Sequence, residues 1–304
     1  MKEDRQDLTT GSIWGKMLFF SIPLMLTNLL QVLFNMADIA VIGQFAGALS
    51  LGAVGSTTTL VTLFTGVLIG MAGGINVLVA RYFGARDKTS TVHTIHTALL
   101  VSLITGIIVL AFGMIFSKGI LEIMNTKEEL LNGAVLYIRI YFLGMPALAL
   151  YNFGNAVCSA FGDTKKPLYY LSAAGVVNVV LNLFFVIVCK MDVAGVATAS
   201  IISQYLSAFL ILRALAKMGG DYALRLSELK FDKRMAKYII QIGLPAGLQN
   251  GIFQLANLFI QAGVNTFDAT MVAGNSAAAN ADALLYDSMA AFYTACGSFM
   301  GQNY

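Results

Sequence analysis

Eight apolar stretches follow one another along this chain, roughly at 15–43, 51–79, 93–117, 132–160, 167–189, 193–216, 236–262 and 272–299. Each is long enough for the about 20 residues that a helix needs to cross a bilayer. They are continuously apolar rather than alternating every second residue over about ten positions. Membrane-spanning helices are therefore predicted, and a barrel is not. Polar residues gather in short connections. The longest is 217–235, MGGDYALRLSELKFDKRMA, the only stretch that reads as a linker between two lobes.

Composition agrees with the pattern. Of 304 residues, 58% are hydrophobic and 12% charged, against about 25% charged in a soluble domain. Mean hydropathy is +0.75. Four prolines and no low-complexity tract exclude a fibrous or disordered chain. The net charge of +3 is spread over loops with no basic patch among aromatics, so no nucleic-acid partner is expected. The start, MKEDRQDLTTG, lacks the basic stretch, short apolar core and cleavage site of a removable signal peptide. Cys158, Cys189 and Cys296 are odd in number and sit in or beside apolar runs, which reads as packing rather than disulfides.

Lysine and arginine set the orientation. The loop after the second stretch carries Arg81, Arg86 and Lys88, the loop after the fourth Lys165 and Lys166, and the linker region seven cations from Arg213 to Lys237. The alternate loops are poor: none at 44–50, Lys118 and Lys127 among three glutamates, and Lys190 alone. A multi-pass protein of the cell membrane with a cytoplasmic N-terminus is expected.

The second stretch carries Gly66, Gly70 and Gly74, a small-residue face that predicts close approach of another helix. The chain also resembles itself. FFSIPLMLTN at 19–28 aligns with QIGLPAGLQN at 241–250, pairing Pro23 with Pro245 and Asn28 with Asn250 at a separation of 222. Phe45 and Gly52 fall on Phe267 and Gly274 at the same separation, and ARYFGA at 80–85 meets GQNY at 301–304 one residue short of it. A six-helix unit over 1–216, a linker at 217–235 and two helices of a second unit over 236–304 are expected. Tandem halves of this kind are one of the two common transporter plans.

One acid interrupts the apolar pattern. In FNMADIAVIG, Asp38 is the only charged residue between Lys16 and Arg81. An acid at the centre of a spanning helix costs about 2.5–3.5 kcal/mol on insertion scales and normally faces a cavity or partner. At about 1.5 Å per residue, Asp38 lies ~9–18 Å inside the outer boundary, Asn182 and Ser200 ~12 Å, and Asn178 and Gln204 ~18 Å. Asn178 and Asn182 share one helix face, as do Ser200 and Gln204. One carboxylate with amide and hydroxyl oxygens at a common depth suits a monovalent cation, and the carboxylate can carry a proton instead. Asp282 and Asp287, in NADALLYDSM, mark a possible cavity of the second unit. Arg139 can snorkel outward, and His93 and His96 have no third ligand nearby, so no structural metal is expected. No P-loop, HExxH or G-x-S-x-G pattern occurs, which argues against an enzyme and leaves an ion gradient to drive any uphill transport.

The chain resembles the multidrug and toxic compound extrusion (MATE) family in its bacterial branch. The resemblance covers essentially all of it and rests on DLTTGSIWGKMLFFSIPLMLTN, the aspartate fifteen residues after Pro23, SAFGDTKKPLYY, VVNVVLNLFF, VAGVATASIISQ and GSFMGQNY. It implies an all-α membrane bundle of two six-helix lobes around a central cavity. Here the first lobe would be complete and the second represented by two helices, as in a fragment or truncated gene product. It implies exchange of H⁺ or Na⁺ for amphipathic, often cationic, drugs and toxins by a monomer in the bilayer, with no other cofactor. Asp38 matches the family's coupling acid, Asn178 its motif asparagine and Ser200 its hydroxyl position. Asn182 stands where some members carry aspartate, and Phe253 where many carry a glutamate. Pro23 and Pro245 become hinge candidates. A lipid-linked oligosaccharide flippase and a non-transporting remnant are the alternatives.

Overall fold

The computed structural model describes residues 8–9, 12–124, 126–219, 222–225, 229–264 and 269–303. All of its regular structure among these residues is helical. In chain order the helices are α1 (Ile13–Phe45), α2 (Gly47–Gly84), α3 (Lys88–Ile123), α4 (Glu128–Phe142), α5 (Met145–Ala160) and α6 (Lys165–Leu183). A single π turn (Phe184–Val188) extends α6, and α7 (Asp192–Ala216), α8 (Lys233–Val264) and α9 (Ala269–Asn303) follow.

The turns show why the helices stop where they do. Gly47 takes a φ of 88° between α1 and α2, and Gly162 a φ of 84° after α5, conformations in which a Cβ would be strained. Asp87 caps α3 by accepting from Ser90 N at 3.0 Å. Asp232 caps α8, accepting from Arg234 N at 2.8 Å and Met235 N at 3.3 Å.

Five of the described helices, α1, α2, α3, α6 with its π turn, and α7, are long and apolar enough to cross a membrane. The stretch 132–160, expected as one helix, is two. α4 and α5 meet at a 46° bend and are long and apolar enough to cross only when taken together. Pro146 has no N–H for the Phe142 carbonyl, and Tyr205 of α7 donates its hydroxyl to Leu143 O at 3.1 Å. The stretches expected as seventh and eighth crossings are α8 and α9. At 32 and 35 residues they are long enough, but they fall short of the same apolarity among the described residues. Gln241, Gln249, Asn250 and Gln254 dilute α8, and Asn275, Asn280 and Asp282 dilute α9.

α2 is the hub, packing on α1, α3, α4, α5, α8 and α9. Its glycine face receives α8. A Cβ on Gly70 would stand 2.2 Å from Gly247 N, one on Gly74 2.7 Å from Gly243 N, and Asn250 donates to Gly66 O at 3.2 Å. One apolar core, around Ile75, Val79, Phe153 and Ile211, fills the end of the bundle that carries the basic loops. A second, around Ile42, Leu60, Phe142 and Val196, fills the other end. A third joins α1 to α9 through Leu8, Phe20, Leu24, Ala291 and Phe299. The three cysteines are free thiols.

Candidate functional site

The end of the bundle opposite the basic loops brings α1, α6 and α7 together around Asp38. Gly175 on α6 makes the approach possible: a Cβ there would overlap the Phe34 ring of α1 at 1.6 Å. Phe34 stands one turn before Asp38, so the ring seated on Gly175 sets that acid against Asn178 and Asn182. Asp38 is 6% exposed, Asn178 and Ser200 5% each and Asn182 fully buried.

The four side chains form a closed ring. Asn182 Nδ2 donates to Asp38 Oδ1 and to Asn178 Oδ1 at 3.2 Å. Asn178 Nδ2 donates to Ser200 Oγ at 3.4 Å, and Ser200 Oγ donates to Asp38 Oδ2 at 3.0 Å. Each carboxylate oxygen has a neutral donor, and none of the other three side chains is charged. Asn182 Oδ1 is buried without a partner, an arrangement that carries a desolvation cost. The chemistry of such a ring is two-sided. With its donors turned inward it holds an ionised carboxylate. A rotation of the Asn182 amide and the Ser200 hydroxyl would turn oxygens inward instead, toward a monovalent cation or a proton on Asp38.

Gln204 stands outside the ring. Its Oε1 has no partner and lies against the α4–α5 break, where a Cβ on Gly144 would sit 1.9 Å from it. Tyr137 and Tyr141 of α4, which the sequence did not single out, are buried beside the site, near enough for the Asp38 charge to act on both. Their rings stack at 5.9 Å. The available signal was the four-residue spacing of the tyrosines in YIRIY, where attention goes to Arg139; Arg139 is exposed in the last turn of α4. Asp282 is exposed on α9, and the side chain of Asp287 lies outside the described residues. Pro23 and Pro245 each lie inside a continuous helix. Thr27 donates its hydroxyl to Pro23 O at 2.8 Å. His93 Nδ1 faces Asp232 at 3.9 Å, and His96 is buried.

A family model described as MatE matches residues 23–184. Among curated proteins, the probable multidrug resistance protein YpnP of Bacillus subtilis is 32% identical over 98% of this chain, and YoeA of the same organism, also a probable multidrug resistance protein, 27% over 88%. The chain spans 66% and 59% of the lengths of these two relatives. Among solved structures, a MATE protein in a bent conformation is similar over the whole chain and 68% of its own, with a TM-score of 0.91 at 24% identity. A MATE structure in a straight conformation has a TM-score of 0.90 over the same shares, also at 24% identity.

Proposed function

We propose, from the premise that this chain belongs to the MatE family of multi-pass membrane transporters, that it exports amphipathic or cationic organic compounds in exchange for H⁺ or Na⁺, with Asp38 as the coupling acid. The observation that carries this is the ring itself: a lone carboxylate, buried among neutral hydrogen-bonding side chains, at a depth where ionic groups are costly unless they are used. The multidrug names of the relatives support the substrate class. The basic loops support a cytoplasmic location for the N-terminus. The repeat supports lobes at 1–216 and 236–304 joined by 217–235.

In this reading Asn178, Asn182 and Ser200 complete the cation site, while Gln204 with Tyr141 forms its wall at the α4–α5 break. Asp282, exposed on α9, is the acid offered to a second-lobe cavity, and Pro23 and Pro245 mark where α1 and α8 yield. Coupling requires the cation and the exported compound to prefer opposite states of the lobe, since equal preference would shift nothing. Binding of a cation at Asp38 favours one arrangement of α1 and binding of the compound the other.

The test is calorimetric titration of Na⁺ at a series of pH values on the purified chain, beside Asp38→Asn and Asn178→Ala. Asp38→Asn keeps the side-chain volume, and its new amide can donate to Ser200 Oγ once that hydroxyl turns, so the variant is expected to fold. Loss of Na⁺ binding and of proton uptake in Asp38→Asn supports the reading. Binding of both ions that is unchanged by the substitution overturns it.

A further inference from the structure

At the basic end of the bundle, the last turn of α2 and the first turns of α8 enclose a cleft of about 170 Å³. Arg81, Tyr82, Arg234, Tyr238 and Gln241 form its polar rim, above Leu78 and Ile242. None of these lining residues is acidic. Arg234 is oriented by Tyr238, with Nε 3.4 Å from the phenol oxygen and the guanidinium 5.8 Å from the ring centroid. Arg81 and Lys237 also lie close enough for their charges to act on Tyr238, and Tyr82 lies close enough to act on Arg234. Among the described residues, Asp232 is the acid whose charge reaches Arg234. Its carboxylate is already engaged in capping α8 and in facing His93. A wider groove continues along α8, sharing Gln241 and adding Lys233 and Lys237 over Phe231, Ala236 and Ile240.

Two guanidinium groups from two helices, two phenols and an amide therefore line one concavity, with Leu78 and Ile242 as its apolar wall and Phe231, Ala236 and Ile240 along the adjoining groove. Guanidinium forks match the oxygens of a phosphate bidentately. Basic pockets between spanning helices suit anionic headgroups, whose acyl chains then lie along the apolar walls. We propose that this cleft binds a phosphate-bearing anion, the headgroup of an anionic phospholipid, and that the bound group ties α2 to α8. This is independent of the transport reading, because none of its residues belongs to the Asp38 ring. Positive charge alone would gather anionic lipid at every basic loop; what distinguishes the cleft is convergence of Arg81 and Arg234 on one phosphate.

The experiment uses the full chain in a neutral detergent, with native mass spectrometry counting phosphatidylglycerol and phosphatidylcholine adducts as lipid is added. A parallel arm follows thermal unfolding with inorganic phosphate alone. The variants are Arg81→Gln with Arg234→Gln, and, as a control of equal charge change per site, Arg213→Gln in the exposed last turn of α7. The wild type is expected to retain phosphatidylglycerol in preference to phosphatidylcholine. The double variant should weaken that retention about thirtyfold, taking about 1 kcal/mol for each cation near an anionic headgroup layer. Arg213→Gln should leave it unchanged. Stabilisation by inorganic phosphate that needs Arg81 and Arg234, without lipid preference, supports the phosphate site with a soluble source in place of the lipid. Retention that survives in the double variant, or falls equally in Arg213→Gln, overturns the proposal. A double variant that unfolds is replaced by Arg81→Lys with Arg234→Lys, which keeps the charge, loses the bidentate fork and should still bind more weakly.

Discussion

A buried carboxylate survives in a bilayer-spanning bundle only if other groups replace the water it has lost. Around Asp38 that replacement comes from two donors, Asn182 and Ser200, and each of them also serves Asn178. Ser200 serves both through one hydroxyl, which donates to Asp38 and accepts from Asn178. Ser200→Ala leaves a carboxylate oxygen and an amide without partners, and should cost about 1–3 kcal/mol. Ser200→Thr keeps the oxygen and should recover most of that loss. Denaturant unfolding of both variants in detergent checks this; equal stability of Ser200→Ala and wild type would show that the ring is not closed in solution. The sequence made these four residues visible because an acid and amides are rare inside apolar runs, and their depths could be counted from the loops. Tyr137 and Tyr141 were not visible. Tyrosine is an ordinary amphipathic residue in a membrane helix, and its spacing alone does not say which neighbour the pair faces.

At the scale of elements, what the apolar pattern can reveal is length, and what it hides is a break that stays apolar. Leu143 and Gly144 break α4 from α5, with Pro146 in the first turn of α5, and no polar residue marks the break, so the stretch 132–160 reads as one helix. Glycine spacing was more informative. Gly66, Gly70 and Gly74 share one face of α2, and α8 meets it with Gly243, Gly247 and Asn250, backbone against backbone. Gly73, one residue away, faces open space. The two neighbours should therefore respond oppositely to the same change. Gly70→Ala forces a methyl into the Gly247 backbone and should destabilise by about 1–3 kcal/mol. Gly73→Ala meets nothing, removes a glycine from a helix interior, and should be neutral or stabilising by up to about 1 kcal/mol. Thermal unfolding of the two variants decides it. A Gly70→Ala protein as stable as Gly73→Ala would mean that α2 and α8 stand further apart than the glycine contacts require.

For the whole molecule, the question is how α1–α7 engage α8 and α9. α2 and α9 meet through one polar pair: Asn76 Nδ2 donates to Ser298 Oγ at 3.1 Å, and Ser298 Oγ donates back to Asn76 Oδ1 at 3.2 Å. The sequence could not show this meeting, because one partner is asparagine and the other serine. α2 and α9 cross closely beside it, a Cβ on Gly301 standing 2.7 Å from that of Ala80 and one on Gly84 2.1 Å from Gln302 O. Further contacts secure the crossing: Asn76 donates to Ala156 O at 3.1 Å and Gln302 to Ala160 O at 2.6 Å, while Leu8 N donates to Gln302 Oε1 at 3.3 Å. If transport opens this basic end, these are the bonds that must part. The pair is then worth a measurable coupling energy in the closed state. In a double-mutant cycle of Asn76→Ala and Ser298→Ala, the double variant should be less destabilised than the sum of the singles by about 0.5–3 kcal/mol. Hydrogen exchange near 294–303 should rise in either single variant, because each loosens the same crossing. Additive effects, with exchange unchanged at α9, would place the hold between these helices in apolar packing alone and leave Asn76 serving only the Ala156 carbonyl of α5.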